Sequence, residues 1–397
     1  MTRPQPRPRV GVAGLFGTGN FGNEATLTAA LERLGDEHDV VVIAEGAARV
    51  HSDRGVPAVA LSTVVTPRAG SKWVRLAVLA RNRIGVLLRA MKVVGGLDAV
   101  VVAGTGPWER YGAGPFALTY ELWALALAAK VRRRPFLLWN IGVEVQDRMM
   151  ARWFIRRSAS WADYRSFRDV ESLRAMRQMR AALDSDPVVA DLVFGFAADG
   201  APSGSGDGGQ EATVIVGVMT YYGLADDPRT NEDVQGSYRR GTTELVRELR
   251  RRDYGVVLVG GDEDDLRTAA DVRDTLADEA VRVDTVGTVA GLTELMTSAS
   301  AVVALRYHSL IMGALAGVPL VGIAYGQKQQ SLMTMLGNPE RVRHVESFQV
   351  NDVADLVEAA IVDAAGRERA AAAVADAAAR LEEEWIHVRT ALRRSRG

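Results

Sequence analysis

Short apolar runs rich in β-branched residues alternate with longer segments of helical periodicity along the chain. In the first half, segments 24–34 and 116–130 have the spacing of helices. The apolar runs that predict strands there lie at residues 10–13, 40–44, 99–103 and 136–141, with a shorter one at 164–167. Alternation of this kind predicts an α/β fold with a parallel sheet and helices on both faces.

The same alternation restarts in the second half. Five more apolar runs predict strands, at residues 213–218, 255–259, 281–285, 301–305 and 320–324. Between the halves lies ADGAPSGSGDGGQE, in which alanine is the only apolar residue type, and this composition is typical of a flexible linker. We therefore expect two Rossmann-like domains with parallel sheets. Their predicted bounds are 1–197 and 212–352, joined by a linker at 198–211 and followed by a helical tail at 353–397.

Composition then narrows the chemistry. The chain has 397 residues, no cysteine, five histidines and a formal net charge of -1. The length is that of two domains. Without cysteine there can be no disulfide, thiolate metal site or iron–sulfur cluster, and five scattered histidines make a metal centre unexpected. The near-zero net charge argues against a nucleic-acid partner.

The hydropathy pattern predicts a cytoplasmic protein. No stretch reaches the roughly 18 consecutive apolar residues of a membrane-spanning helix. The basic N-terminus is followed by an apolar run that is too short and too rich in glycine for a signal peptide.

One segment is strongly basic despite the neutral total. No acidic residue occurs in segment 54–97, which carries eight arginines and lysines interleaved with apolar residues. A basic amphipathic helix of this kind either packs on its own core with a solvated outer face or lies on an anionic membrane surface. The second interpretation predicts peripheral membrane contact.

A glycine-rich loop follows the first predicted strand, with the sequence GLFGTGNFG at residues 14–22. Its glycines match G-x-G-x-x-G, and Glu45 ends the second strand where a ribose-binding acid would lie, so a dinucleotide site is one interpretation. A second is a site for another polyoxygenated or anionic ligand at the helix N-terminus. A third is a tight turn without a ligand. The residues offered for direct contact are Gly19, Asn20, Asn23 and Glu24.

The most informative stretch is 301–330, where two predicted strands end in cations. Arg306 and His308 follow the first strand, and Tyr325 and Lys328 follow the second. Carboxyl ends of parallel strands meet at one sheet edge, in the cleft where such folds bind ligands. Arginine and lysine bind carboxylates and phosphates, and histidine transfers protons near neutral pH. The group suits a small dianion that needs one proton transfer. The alternative is an arginine paired with a core acid and a structural histidine.

Two further polar groups follow strands. Arg168 could face the cleft from the first domain, or it could form an ion pair with a neighbouring acid such as Asp169. The acidic run at 260–265 is best explained as an N-terminal helix cap, because acids stabilise that end of a helix.

At these residues the chain resembles the polysaccharide pyruvyl transferase family. The opening GLFGTGNFGNE is similar to the family's G-x-x-G-x-G-N-x-G-D-E, with Asn23 in place of the usual Asp. Arg168, Asp169 and Ser172 resemble its R-D-x-x-S segment. The stretch from 306 to 328 resembles its R-x-H, G-x-P and Y-x-x-K signature.

The resemblance implies a two-Rossmann fold like that of the B-type glycosyltransferases, with phosphoenolpyruvate as the donor substrate and no cofactor. It implies a sugar acceptor in an exported or cell-envelope polysaccharide, lipid-linked if segment 54–97 faces a membrane. Arg306, Lys328, Tyr325 and Arg168 would bind the donor, with His308 as the general acid. Gly19, Asn20, Asn23 and Glu24 would bind the acceptor. The competing functions are a nucleotide-sugar glycosyltransferase, a dinucleotide-dependent oxidoreductase and a non-catalytic subunit of a glycan-assembly complex.

Overall fold

A computed structural model describes residues 6–62, 72–109, 116–199, 212–223, 230–286 and 288–394. Residues 200–211 of the predicted linker and 63–71 of the basic segment lie outside these ranges. The chain divides into two compact units. The N-terminal unit comprises Met1–Thr18, Asn23–Leu192 and Arg380–Gly397, and the C-terminal unit comprises Gly19–Gly22 and Val193–Ala379.

The N-terminal unit is built on a six-stranded parallel sheet in the order β3-β2-β1-β4-β5-β6. Its strands are β1 Arg9–Ala13, β2 Asp39–Ile43, β3 Ala58–Val59, β4 Ala99–Ala103, β5 Phe136–Ile141 and β6 Tyr164–Phe167. Its helices are α1 Phe21–Gly35, which begins in the Gly19–Gly22 segment, α2 Ala47–Arg54, α3 Lys72–Gly95, α4 Leu118–Val131, α5 Met149–Trp161 and α6 Val170–Gln178.

The C-terminal unit repeats this plan, with strand order β12-β11-β10-β7-β8-β9, again parallel throughout. Its strands are β7 Thr213–Val218, β8 Gly255–Gly260, β9 Val281–Asp284, β10 Ala301–Ala304, β11 Leu320–Ala324 and β12 Val342–His344. The helices are α7 Asn231–Arg251, α8 Glu263–Leu276, α9 Val289–Thr297, α10 Tyr307–Leu315, α11 Gln327–Met335, α12 Val350–Val362 and α13 Ala364–Leu392. The last turns of α13 belong to the N-terminal unit.

The predicted fold class is confirmed, because both sheets have the Rossmann strand order. Their central strands are buried on both faces; every residue of β4 and β10 is at most 1% exposed. Burial on both faces is what makes parallel strands read as continuous apolar runs. The chain ends in the two helices α12 and α13.

The last turns of α13 place one carboxylate inside the N-terminal unit. Glu384 is 4% exposed and accepts hydrogen bonds from Asn140 Nδ2 at 2.7 Å, Tyr164 Oη at 3.0 Å and Trp139 Nε1 at 3.2 Å. Ser166 adds a further hydrogen bond. Burial raises the pKa of Glu384 above its ordinary value despite these donors. This cluster joins the C-terminal helix to β5 and β6.

Replacing Glu384 with glutamine is expected to change how stability depends on pH. A carboxyl whose pKa is raised on folding stabilises the native state at low pH, and that contribution is lost as the pH rises through the raised value. The free energy of unfolding of the parent should therefore fall over this range, and the fall should disappear in Glu384→Gln. Chemical denaturation from pH 4.5 to 8 measures it, with exposed Glu383→Gln as the matched control. Identical pH profiles for parent and Glu384→Gln would contradict the prediction.

Candidate active site

The carboxyl edge of the second sheet collects the residues that the sequence singled out in the C-terminal unit. Strand order reverses between β7 and β10, and ligands of such sheets bind at this switch point. Arg306 is the N-cap of α10, directly beyond β10. Tyr325 follows β11, and Lys328 lies in the first turn of α11. The structure therefore brings these groups to one edge.

Arg306 is held by two acids from the loop after β8. Its Nε donates to Asp265 Oδ2 at 2.7 Å, and its Nη2 donates to Asp265 Oδ1 at 2.8 Å and Asp262 Oδ2 at 2.6 Å. Burial works to lower the pKa of Arg306, but Asp265 and Asp262 outweigh it and raise the pKa above its usual value. The guanidinium therefore stays charged.

The two acids also shape the loop that carries them. Asp262 is the N-cap of α8 and accepts a hydrogen bond from the Asp265 amide, so the predicted helix cap is confirmed. Asp265 is fully buried and accepts hydrogen bonds from the amides of Thr220 and Gly261. One buried carboxylate therefore fixes the ends of β7 and β8 as well as Arg306.

Tyr325 and Lys328 form a second pair at this edge. The Lys328 Nζ lies 5.1 Å from the centroid of the Tyr325 ring. Tyr325 is also close enough to Arg306 to influence the pKa of the guanidinium. Gln329 Nε2 donates to the Leu305 carbonyl at 3.0 Å, which ties the start of α11 to the end of β10. The loops that follow β10 and β11 are therefore held in a fixed position relative to each other.

His308 is packed against a piece of the N-terminal glycine-rich loop. The Gly19–Gly22 segment belongs to the C-terminal unit, and the Phe21 amide donates to the Gly261 carbonyl at 2.7 Å. A Cβ added to Gly22 would overlap the His308 imidazole at Nδ1. The Tyr307 ring meets the imidazole edge-on, with centroids 5.3 Å apart. Gly22 thus sets the position of the proposed acid, and candidates Gly19 and Asn20 lie in the same short segment.

Gly22→Ala is expected to reduce turnover about tenfold or more, because the new methyl group must displace the His308 ring and misplaced catalytic groups lose rate steeply. Gly35→Ala is the matched control, since a Cβ at that helical glycine meets nothing within 4 Å. Steady-state kinetics with a thermal melt measures the effect. An active Gly22→Ala variant would show that the imidazole tolerates displacement.

In the N-terminal unit, Glu24 closes the loop that precedes it. Its Oε1 accepts a hydrogen bond from the Gly17 amide at 2.7 Å, and its Oε2 lies 3.6 Å from Arg54 Nη2. A Cβ on Gly17 would overlap the Gly46 carbonyl, so the loops after β1 and β2 are in backbone contact. Asn23 precedes Glu24 in the first turn of α1 and is half-buried.

A small cavity of about 30 Å³ lies beside this loop. Gly14, Thr18 and two carboxylates, Glu45 and Glu121, line it together with leucine side chains. Burial raises the pKa of Glu121, and the Ser62 hydroxyl donates a hydrogen bond to it. The sequence analysis assigned Glu121 no role; the available signal was one acid in an otherwise apolar helix.

Arg168 is enclosed in the N-terminal unit. Its side chain is 4% exposed and forms ion pairs with Glu109, with Asp169 at 3.3 Å and with Asp191 at 3.7 Å. Asp169 also caps α6 by accepting from the Ser172 amide, and the Ser172 hydroxyl accepts from the Val143 amide. The R-D-x-x-S motif therefore fixes the loops after β5 and β6 from within.

The described residues contain no group of three or more histidine, aspartate or glutamate side chains placed to hold a metal ion. No helix within the described ranges is both long and apolar enough to cross a membrane.

Comparison with known families gives the identity of the motifs. The family model for polysaccharide pyruvyl transferase matches residues 20–327. The chain belongs to the polysaccharide pyruvyl transferase family. The match covers both units and every candidate residue except Gly19 and Lys328, which lie just outside its ends. A search among curated proteins finds no significant match.

Solved structures with the same fold include a UDP-GlcNAc 2-epimerase and a glycosyltransferase. UDP-GlcNAc 2-epimerase from Neisseria meningitidis, bound to UDP-GlcNAc, is 12% identical with a TM-score of 0.61, covering 96% of this chain and 99% of its own. The calicheamicin glycosyltransferase gives 13%, 0.58, 98% and 99%. MurG from Acinetobacter baumannii gives 11%, 0.55, 97% and 100%. These likenesses show a fold like that of the B-type glycosyltransferases.

Proposed function

We propose that this member of the polysaccharide pyruvyl transferase family uses phosphoenolpyruvate as donor. It would form a pyruvate ketal on a sugar of an exported or cell-envelope polysaccharide and release phosphate. The observation that carries the proposal is the convergence of Arg306, Tyr325 and Lys328 at the edge where His308 also lies. Phosphoenolpyruvate carries a carboxylate and a phosphate, and ketal formation requires a proton at its C3 carbon.

Arg306 and Lys328 bring two positive charges to the donor site. Asp262 and Asp265 balance the charge of Arg306, so Lys328 and the helix N-termini supply the remaining attraction for an anion. Asp265 engages Nε and Nη2 of Arg306 and so fixes the plane of the guanidinium. Two helices of nine residues, α10 and α11, begin at the same edge, and neither N-cap residue, Arg306 or Gly326, caps its helix with a side chain. Helix N-termini attract phosphate oxygens through their amides. Lys328 would neutralise further charge. Arg168, which the family resemblance places at the donor, is enclosed by three acids, so we propose that it holds the loops after β5 and β6 and does not bind the donor.

The proposed reaction balances without a cofactor. His308 donates a proton to C3 of the enol, and the resulting positive charge at C2 is attacked by one acceptor hydroxyl. A second hydroxyl then displaces phosphate, and the two hydroxyl protons leave to base. The products are a cyclic ketal and inorganic phosphate. Fixed cations stabilise the departing phosphate.

We assign acceptor binding to Gly19, Asn20, Asn23 and Glu24. The small cavity lined by Glu45 and Glu121 has room for a hydroxyl group but not for a sugar ring, and these carboxylates can accept hydrogen bonds from such a hydroxyl. Asn23 retains a hydrogen-bonding side chain where the family pattern has a carboxylate, but it cannot accept a proton. A lipid-linked acceptor at the inner face of a membrane follows if the basic segment 54–97 faces lipid, with the protein otherwise cytoplasmic.

The test is phosphate release from phosphoenolpyruvate across a panel of cell-envelope glycans, with the ketal product identified by NMR. The same panel with nucleotide-sugar donors tests the glycosyltransferase alternative, which would release nucleotide instead. Binding of glycan without consumption of any donor would support a non-catalytic subunit and overturn the proposal.

A further inference from the structure

We propose that helices α3, α4 and α5 form a docking surface for an anionic lipid bilayer. In this surface aromatic side chains enter the interfacial layer and arginines contact lipid phosphates. We call it the α3–α5 face. The proposal concerns adsorption of the protein to lipid and does not depend on the donor or on the reaction.

The centre of the α3–α5 face is a cluster of aromatic rings. Trp123 of α4 packs against Trp153 and Phe154 of α5 with tilted rings, whose centroids are 5.7 and 5.2 Å apart. Tyr120 lies 5.4 Å from both Trp123 and Phe154, and Phe116 lies 5.9 Å from Phe154. This continuous cluster joins the N-terminal halves of α4 and α5.

Part of this cluster is exposed to solvent. Trp153 is 43% exposed and Phe116 is 42% exposed, while Met149 and Met150 at the start of α5 are 84% and 46% exposed. A contiguous exposed group of large apolar side chains on a globular protein marks an interaction surface. Tryptophan side chains prefer the membrane–water interface, because the apolar part of the ring contacts lipid while the N–H stays hydrated.

Positive charge surrounds the aromatic cluster. Among the residues whose side chains the structure describes, α3 carries four basic residues, α4 one and α5 three, against a single acid, Glu121. The Arg83 guanidinium lies 5.5 Å from the ring centroids of Phe116 and Tyr120, and that of Arg157 lies 5.8 Å from Trp153. An arginine on an aromatic face presents its N–H groups at the edge, where phosphate oxygens can be bound. The sequence analysis found the basic α3 but not the contribution of α5.

The outer side of α3 also combines exposed apolar side chains with basic ones. Ile84 and Leu88 are 59% and 64% exposed and stand one helical turn apart. Exposed Arg81 and Lys92 flank them. This combination of an apolar stripe and basic neighbours is that of helices lying in a membrane interface.

The charge of the α3–α5 face favours an anionic bilayer over a second copy of the chain. A second copy of the chain docked about a twofold axis would present the α3–α5 face to itself. Eight basic residues of these helices would then meet eight more with one acid on each side, and like charges at an interface are repulsive. An anionic bilayer supplies the complementary charge and an apolar interior.

The orientation of the helices connects this face to the candidate acceptor residues. Helices α4 and α5 begin at the carboxyl edge of the sheet, after β4 and β5, and α1 with Asn23 and Glu24 begins at that same edge after β1. Adsorption would therefore bring the acceptor side of the N-terminal unit towards the lipid surface. This last step rests on the proposed function, whereas adsorption itself does not.

Sedimentation of the full-length protein with vesicles of phosphatidylcholine and phosphatidylglycerol tests the proposal. We expect binding that grows with the phosphatidylglycerol fraction and weakens with salt. Each positive charge contributes about fivefold to the partition coefficient, so Arg156→Gln with Arg157→Gln should lower it roughly 20-fold. Trp153→Ser should also weaken binding and remove part of the tryptophan fluorescence change on adsorption. Matched controls are Arg247→Gln with Arg251→Gln on α7, and Ile386→Ser on α13, which should bind as the parent does.

Light scattering and activity measurements distinguish adsorption to lipid from dimer formation and from a failure of the proposed function. If the parent ignores anionic vesicles at low salt, or if the arginine and tryptophan variants bind as well as the parent, the proposal is overturned. A parent dimer that Trp153→Ser converts to monomers, with no lipid affinity, would assign the face to a second copy and also overturn it. The α5 variants should release phosphate from phosphoenolpyruvate with a water-soluble acceptor at the parental rate. If the parent protein releases no phosphate from phosphoenolpyruvate, that result would count against the proposed function but not against adsorption to lipid.

Discussion

Replacing His308 with alanine is expected to lower kcat for phosphate release from phosphoenolpyruvate by about 100-fold or more. The variant loses the group that would protonate C3, and general acid catalysis contributes a factor of this size. The KM for the donor should change far less, because Arg306 and Lys328 remain. Steady-state kinetics with a phosphate-coupled assay gives both parameters.

His344→Ala is the matched control for this experiment. It removes another imidazole of the C-terminal unit, one that is exposed at the end of β12 and outside the candidate site. That variant should keep parental kinetics. His308→Gln keeps a hydrogen-bonding side chain without an acidic proton at neutral pH, so it should be as slow as the alanine variant. Near-normal turnover in either His308 variant would refute the acid role.

The sequence predicted every strand of the two sheets except the edge strands β3 and β12. Buried parallel strands such as β4 and β10 read as unbroken apolar runs, which need no tertiary information. Edge strands β3 and β12 have two and three residues, half-buried or exposed, and such short segments carry no periodicity. The helix after β10 begins at Tyr307, directly after Arg306. Arg306 is consequently its N-cap and part of the turn itself.

The site shows a similar division between local and long-range information. The shared edge of Arg306, Tyr325 and Lys328 follows from strand direction, so the sequence alone could predict it. The sequence alone could not identify Asp265 as the partner of Arg306. Asp265 is 41 positions away, and the acidic run that contains it also has the pattern of a helix N-cap. Gly22 likewise reads as a turn residue, and only the fold reveals that its missing side chain makes room for His308.

Replacing Arg306 with methionine is expected to destabilise the protein by about 3 kcal/mol or more and to abolish most activity. Asp265 is fully buried, and a buried carboxylate that loses its cation costs this much free energy of unfolding. The loss of activity has two conceivable origins, a distorted loop or a missing donor contact. Stability and kinetics of a second variant separate them.

The separating variant is Arg306→Met combined with Asp265→Asn. Asparagine removes the unpaired charge, but its single oxygen can accept from the Thr220 amide or the Gly261 amide and not from both, so part of the lost stability should return. If Arg306 binds the donor, kcat/KM for phosphoenolpyruvate should stay about 10- to 100-fold below the parent, because the charge-assisted contact from Nη1, the nitrogen that Asp262 and Asp265 do not engage, is still missing. Denaturation and steady-state kinetics on parent, single and double variants make the comparison. Recovery of activity together with stability would mean that Arg306 only neutralises Asp265, and the donor site would then have to be rebuilt around Lys328 and the N-termini of α10 and α11.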